Sequence, residues 1–446
     1  MRYLWENEKT PDYPVLPGDL EMGVLVIGGG MAGVLCAYRL TQAGADCVLV
    51  EGDMPGNGTT RGTTAVLTAQ HDTLYSDLVR KRGEATARRY LLANLRAVEQ
   101  FSELAQEFPC DFETKPSYMY TCGTPGEQSP EALWREAQTV RALGFPAEFV
   151  RDAGLPFPTA GAVRYPDMAQ FHPLRFLHGI AGKLRVYAHT FVRRIDLKTN
   201  TAYTSRGKIH AKKIVVATHF PFINRHGLYF MKLYQMRSYV AALENAPALP
   251  GTYVGTGKSS LYFRTAGDLL LVGGGDHRTG KGKAGGGADY VAGAAQRLFP
   301  EAKARFVWAA QDCTTLDGVP YIGRYSRWTP DLFVATGFNE WGMTTSMLAA
   351  ELLTAQVLHD VPEDPVFTPQ RSMLHPQLFL NLLETAGHLL LPTAPRCAHL
   401  GCALIWNKSE HSWDCACHGS RFSADGAPLE NPAMHGITPR RAEPPR

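Results

Sequence analysis

A mixed α/β chain with a separate antiparallel sheet and a small β-rich C-terminal part is predicted by three observations. The first is a strand–turn–helix–strand unit in GVLVIGGGMAGVLCAYRLTQAGADCVLVEGD, residues 23–53. The second is alternation of apolar and polar residues over 236–275, as in MRSYVAALE, SSLYFRT and DLLLVGGG. The third is the packing of four of nine cysteines, with His399 and His418, into a short C-terminal stretch. Such a chain is expected to bury a core: 446 residues with 45% hydrophobic and 20% charged side chains exclude a disordered or fibrous protein. The formal net charge of +3 gives no electrostatic case for a nucleic-acid partner. No run approaches the roughly 20 apolar residues of a membrane helix, and MRYLWENEKTPDYPVLPGDL has no secretory apolar core. A cytoplasmic, soluble protein is expected.

Residues 1–22, with Pro11, Pro14 and Pro17, read as a lead-in. Val24–Ile27 and Cys47–Val50 are continuous apolar runs, expected of strands buried on both faces, and Met31 to Ala43 is the crossover helix. Residues 72–108 are helix-rich, with Leu74, Leu78, Tyr90, Leu91, Leu95, Val98, Phe101 and Leu104 at roughly helical spacing. Lys213–Ala217 is another buried strand, and 236–275 reads as antiparallel strands. TGKGKAGGG, residues 279–287, looks like a mobile loop, followed by a helix at Asp289–Leu298. Leu332–Thr336 is a strand and Thr344–Leu358 a helix. A proline-containing linker, residues 361–386, precedes the cysteine-rich part at 387–446.

Gly28-x-Gly30-x-x-Gly33 lies between the first strand and its helix. The first glycine permits the tight turn, the second lets backbone approach a pyrophosphate, and the third lets helix and strand pack closely. Met31 and Ala32 open the helix, whose N-terminus faces the anion. Glu51 ends the second strand and can accept from ribose hydroxyls. A glycine-rich turn in an unrelated fold is the bland alternative, but strands, helix and acid together favour a dinucleotide. The N-terminal placement and the later segments Arg61–Ala65, KIVVATH (213–219), DGVPYIG (317–323) and GFNEWGMT (337–344) favour FAD. A helix starting at Gly342 would aim backbone N–H groups at a reduced flavin.

On these motifs, residues 21–360 resemble the D-amino-acid oxidase/glycine oxidase superfamily of FAD enzymes. The resemblance implies an FAD-binding Rossmann-like domain (23–360) interleaved with an antiparallel-sheet substrate domain, approximately 85–150 and 236–305. It places Gly28, Gly30, Gly33, Glu51, Thr63, Thr64 and Ala217 at the FAD, Val192 near the adenine, and Gly342, Met343 and Thr344 near the isoalloxazine.

In the C-terminal part, Cys397-Ala-His399-Leu-Gly-Cys402 is followed by Cys415-Ala-Cys417-His418-Gly-Ser420. Two thiolates and two imidazoles suit zinc in principle. A zinc finger usually groups its cysteines together and its histidines together, whereas here each loop supplies one of each. That suits a Rieske [2Fe–2S] centre, with Cys397 and Cys415 on one iron and His399 and His418 on the other. Cys402 and Cys417 stand at matching offsets and could form a disulfide tying the loops. Ser420 could donate to a bridging sulfide. The phrase CAHLGC…WDCACHGSRF strongly resembles Rieske proteins, and the whole chain resembles a two-part bacterial family of FAD oxidoreductases with a C-terminal Rieske domain. LWENEKTPDYPVL, TTAVLTAQH, DHRTG and WAAQD carry that wider match. Only ten residues, 387–396, precede the first ligand, so the Rieske part is expected to be truncated and to depend on docking.

No side-chain base is evident, so catalytic residues are not assigned. Asp312 falls where amino-acid oxidases of the superfamily carry a carboxylate-binding arginine. An acid there would repel a carboxylate and attract an ammonium group, unless it only caps a turn. Arg264, His277 and Trp341 are further substrate-side candidates, Tyr262 is an aromatic one, and His71 and His219 read better as structural histidines. The expected function is oxidation of a C–N bond in a small-molecule amine-type substrate, with electrons passing from FAD to the cluster and on to an unknown one-electron carrier. A flavin reductase fed through the cluster and a non-catalytic redox sensor are the alternatives.

Overall fold

The apolar run Leu20–Ile27 is the centre of the first sheet in the computed structural model, which describes residues 1–257, 260–281, 287–392 and 395–438. It pairs in parallel with Cys47–Val50 on one side and Lys208–Val216 on the other, so Ile27 stands opposite both Val50 and Val216. Leu332–Thr336 extends the parallel set beyond Lys208–Val216, and Val186–Tyr187 closes the far edge. Burial on both faces is why Val24–Ile27, Cys47–Val50 and the end of Lys208–Val216 are runs of apolar residues. Helices Met31–Gln42 and Gly342–His359 pack against each other, and Glu84–Glu107 packs on the latter. The helical region expected over 72–108 is two helices, Leu74–Arg82 and Glu84–Glu107, separated at Gly83.

The second sheet has nine strands and is largely antiparallel. Eight of them run in the order Lys303–Thr315, Leu233–Glu244, Leu269–Arg278, Tyr262–Ala266, Thr252–Gly255, Glu113–Thr121, Gly161–Gln170, Val66–Leu67, and the ninth, Glu148–Val150, also pairs with Gly161–Gln170. The chain therefore crosses between sheets repeatedly, and Gly161–Gln170 and the end of Lys303–Thr315 extend the second sheet beyond the ranges expected for the substrate domain. Helix Gly287–Leu298 packs on it. Residues 282–286 of the expected mobile loop lie outside the described residues.

The stretch read as a linker is anchored along much of its length. Phe367 is buried in the first core, Lys232 Nζ donates to Pro369 O at 2.8 Å, and Arg371 grips Asp317 with two bonds of 2.8 Å. Pro376–Leu390 is a helix, opened by its proline and by His375, whose Nδ1 accepts from Gln377 N. The cluster loops rest on a four-stranded antiparallel sheet, Leu404–Asn407, Ser412–Cys415, Arg421–Ser423 and Pro428–Glu430. Among the described residues no helix is long and apolar enough to cross a membrane.

Candidate functional site

The glycine turn is built as its chemistry requires. Gly28 has φ +109°, and a Cβ on it would lie 2.5 Å from Ala217 O. A Cβ on Gly33 would lie 1.8 Å from Gly28 O, so helix and strand touch through backbone alone. Gly30 caps the helix whose first turn contains Met31 and Ala32. Glu51 accepts from Gly29 N at 2.6 Å and from Asp53 N at 2.8 Å, tying the second strand to the turn. Burial pushes its carboxyl up, against these backbone bonds. Ala217 N donates to Ile27 O at 2.9 Å, and Val192 lies buried with Ile27, Val48 and Val50. A backbone cradle that any added side chain would fill, at a helix N-terminus, fits the pyrophosphate of FAD.

Thr63 and Thr64 follow the short helix Thr59–Gly62; Thr63 Oγ1 accepts from Ala65 N, and Thr63 O accepts from Trp5 Nε1. Gly342, Met343 and Thr344 begin the helix that reaches His359, and Thr344 Oγ1 both accepts from Thr68 N and donates to Thr68 O. Trp341 stacks on His71 with ring centroids 4.8 Å apart. Both nitrogens of His71 are engaged, with Tyr90 Oη and Thr68 O, and burial lowers its pKa to about 3. It is a structural histidine.

The substrate-side candidates divide. Arg264 acts as a clamp: its Nη1 and Nη2 donate to Thr64 O, Ala65 O and Phe171 O, its Nε is buried without a partner, and burial lowers its pKa to about 9. His277 stacks on Tyr239 and bonds Gly275 O, and Tyr262 Oη donates to Ser238 Oγ. Asp312 accepts from Cys313 N and Glu340 N and lies 3.8 Å from His219 Nδ1. It belongs to a group that sequence reasoning missed. Asp72, Asp276 and Glu340 come from separate elements, and burial, with their mutual repulsion, raises Asp276 to about 7 and Glu340 well above its ordinary value. Burial also raises Asp72 to about 6. Asp72 and Glu340 keep accessible surface, and Asp276 is half-buried. No spacing pattern announces such a group, because its members meet only through the sheet.

The two cluster loops share one construction. Cys397 N donates to Cys402 O and Gly401 N to Cys397 O; likewise Cys415 N donates to Ser420 O and Gly419 N to Cys415 O. Gly401 and Gly419 occupy the equivalent left-handed position, φ +80° and +81°. Cys415 is the hub: Cys397, Cys402 and Cys417 all hydrogen-bond to its sulfur and lower its pKa far below the usual thiol value. The expected Cys402–Cys417 disulfide is not formed. Both are free cysteines, and the sulfur of Cys415 stands with theirs, all three within 4.8 Å of one another. The thiols of Cys402 and Cys417 hydrogen-bond to each other and to Cys415, so the three sulfurs share one cluster without the roughly 2.05 Å bond of a disulfide. The rings of His399 and His418 meet edge to face, 4.8 Å apart, and Nδ1 of each is buried without a hydrogen-bond partner. Two orphaned imidazole nitrogens beside a thiolate hub are the donor set a Rieske cluster needs. Ser420 bonds the Cys397 sulfur and accepts from Ala433 N.

These loops dock on the flavin domain. Phe220 packs edge-on against both imidazoles and Phe230 against His418. Gln235 Nε2 donates to His418 O at 2.8 Å, Gln311 Nε2 to Gly419 O at 2.9 Å, and Arg278 to Ala416 O and Cys417 O. His219 Nε2 is 3.1 Å from Gln235 Oε1, so a polar path leads from Asp312 through His219 and Gln235 to the second cluster loop. Arg237, 2% exposed, reaches across to Glu410 and Glu430, which Arg421 also holds. Burial alone would raise Glu410, yet Arg237 and Arg421 hold it at about 2.

Residues 23–356 match the family model for FAD dependent oxidoreductases, and residues 364–439 match that of the Rieske [2Fe-2S] domain. A Bacillus subtilis protein named for a Rieske 2Fe-2S iron-sulfur centre, YhfW, is 32% identical over 97% of this chain and 96% of its own length. Glycine oxidase from Geobacillus kaustophilus superposes with a TM-score of 0.65 at 20% identity, covering 79% of this chain and 100% of that one. L-proline dehydrogenase from P. horikoshii gives 0.64 at 17% identity, with 80% and 98% covered. The two solved structures share the flavin-domain fold. With its cradle for FAD, its thiolate hub and its orphaned imidazoles, the chain belongs to the FAD dependent oxidoreductase family and carries a C-terminal Rieske [2Fe-2S] domain.

Proposed function

We propose that the protein is a dehydrogenase that oxidises a C–N bond of an amine-type substrate and delivers the electrons through the Rieske centre to a separate one-electron carrier. The observation that carries this reading is the burial of the His399–His418 edge against Phe220, Asn224 and Phe230 of the flavin domain. A centre serving only an external partner has no use for that edge inside its own chain. When bound, FAD accepts a hydride, and the histidine-ligated cluster accepts electrons singly at roughly −150 to +300 mV.

The chain's own residues supply the rest. Gly28, Gly30, Met31, Ala32, Gly33 and Glu51 would hold the pyrophosphate and ribose, Val192 the adenine, and Thr63, Thr64 and Ala217 the remaining length of FAD. Gly342, Met343 and Thr344 would offer backbone donors to its ring. Cys397 and Cys415 would ligate one iron, and His399 and His418 the other through Nδ1. Asp72, Asp276, Asp312 and Glu340 repel one another, so a further carboxylate beside them is unfavourable and a cation relieves the repulsion. The amine gives up two electrons and two protons, and the imine takes up water to release carbonyl and amine. An amine that arrives as its ammonium first loses one N–H proton to solvent, and the neutral amine then gives up hydride without a protein base.

The test is anaerobic mixing of holoenzyme with amines, amino acids and N-methyl compounds, followed by flavin bleaching and then the cluster signal. Electrons are expected to appear on the cluster after flavin reduction by a cationic amine. Bleaching by carboxylate-bearing substrates alone would refute the role of the acids. A fully reduced flavin beside an oxidised cluster, with oxygen turnover undiminished in His418→Ala, would refute the relay. Reduction by ferredoxin and not by any amine would favour the reverse, reductase direction.

A further inference from the structure

Asn224 lies in the flavin domain, 175 residues before His399, on the loop that follows Lys208–Val216. Its Oδ1 is 3.0 Å from His399 Nε2. A side-chain oxygen accepts, so Nε2 carries the hydrogen and the lone pair of the ring is left on Nδ1. That Nδ1 is the buried atom without a partner. The same ring is held edge-on by Phe220, with centroids 6.2 Å apart, and by His418. Among the described residues the Nε2 bond comes from the flavin domain.

We propose that Asn224 is a positioning residue for the iron–sulfur centre: it fixes the tautomer and ring plane of His399 and sets how strongly that imidazole donates to iron. This rests on the reading that His399 ligates the cluster through Nδ1. An acceptor on the outer N–H of a ligating imidazole raises its basicity and favours the more oxidised metal, which lowers the reduction potential. The potential of the cluster is therefore set in part by a residue of the domain that feeds it. Undocking the loops would remove the acceptor and change the driving force along with the distance.

The experiment is a redox titration of full-length holoenzyme, followed by electron paramagnetic resonance and visible circular dichroism, for wild type, Asn224→Ala and Asn224→Asp. Alanine removes the acceptor and is expected to raise the potential. Aspartate substitutes a charged, stronger acceptor and is expected to lower it. Each change should be about tenfold in the reduction equilibrium, about 59 mV for a one-electron couple, with flavin content unchanged. Equal potentials in all three proteins, or shifts of the same sign, overturn the proposal. If Asn224→Ala fails to retain iron, Asn224→Asp decides alone: a lowered potential supports the role, and an unchanged or raised one overturns it. A wild-type protein lacking the Rieske signal would locate the fault in the ligand assignment and not in Asn224.

Discussion

Replacing Arg237 by leucine should release the cluster domain from the flavin domain without unfolding either. Arg237 is 2% exposed on the strand Leu233–Glu244, and its guanidinium bonds Glu410 with Nε at 2.5 Å and Glu430 with Nη1 at 3.1 Å. Glu410 also accepts from Tyr239 Oη at 2.9 Å. In the intact protein Arg237 and Arg421 together face Glu410, Glu430 and Asp414. After the substitution Arg421 alone faces the same acids. Removing one member of a buried pair costs about 3–5 kcal/mol because the partner is left charged and dry. Arg421 still reaches Glu410 at 2.8 Å, which puts the expected cost near the lower end, about 3 kcal/mol. That is about a hundredfold rise in the undocked population. Hydrogen exchange of the side-chain amides of Gln235 and Gln311, which bond across the interface to His418 O and Gly419 O, reads this population directly. Protection unchanged to within threefold, with cluster reduction as fast as in wild type, would mean that Arg237 does not hold the interface. A Glu410→Gln partner in a double-mutant cycle isolates the pair term.

Gly33→Ala forces a Cβ to within 1.8 Å of Gly28 O and should abolish stoichiometric FAD binding, read from the flavin-to-protein absorbance ratio. His399→Ala and His418→Ala should each lose the cluster and keep the flavin; stoichiometric iron and sulfide in either variant would remove that residue from the ligand set. Glu410 is held at about 2, below the roughly 4.3 of an unfolded chain, so its contribution is present above pH 4.3 and lost as pH falls towards 2. About 3 kcal/mol of folding stability should disappear over that acid window, read by denaturant unfolding of the cluster domain, and Arg237→Leu should flatten the profile. Asp312→Asn should raise KM for a cationic amine about tenfold, near 1.4 kcal/mol, with a smaller change in kcat; equal losses in both would assign Asp312 to backbone support at Glu340.

Strands buried on both faces were readable because their burial leaves a compositional trace: Cys47–Val50 and Leu332–Thr336 begin and end where the apolar runs do. The glycine turn was readable because its close contacts tolerate no other residue. The parallel pairing of Glu113–Thr121 with Thr252–Gly255 leaves no such trace, since each strand reads equally well beside any neighbour. Helix Pro376–Leu390 carried a start signal in Pro376, but its leucines point outward, Leu383 at 70% and Leu390 at 84% exposure, so its face could not be read as core. Arg264 sits on an alternating strand, and only the fold reveals that three backbone carbonyls occupy it. Asn224 and Phe220 lie in a segment without a motif, and their role arises from a domain that begins far along the chain.

The interleaving of the two sheets also governs how the molecule is made. The parallel sheet lacks Leu332–Thr336, and the second sheet lacks Lys303–Thr315, until about three-quarters of the chain has left the ribosome. The docking surface of Phe220, Gln235, Arg237 and Gln311 is assembled from strands of that second sheet and the loop beside it, so it is complete before Cys397 emerges. At roughly 5–20 residues per second, the interval between Thr336 and Cys397 is about 3–12 s. The flavin half thus has a head start of seconds, and the cluster loops meet a finished template. Maturation in the cell then runs in a fixed order, flavin half first and iron last, and a strain short of riboflavin should accumulate chains deficient in iron as well as in FAD.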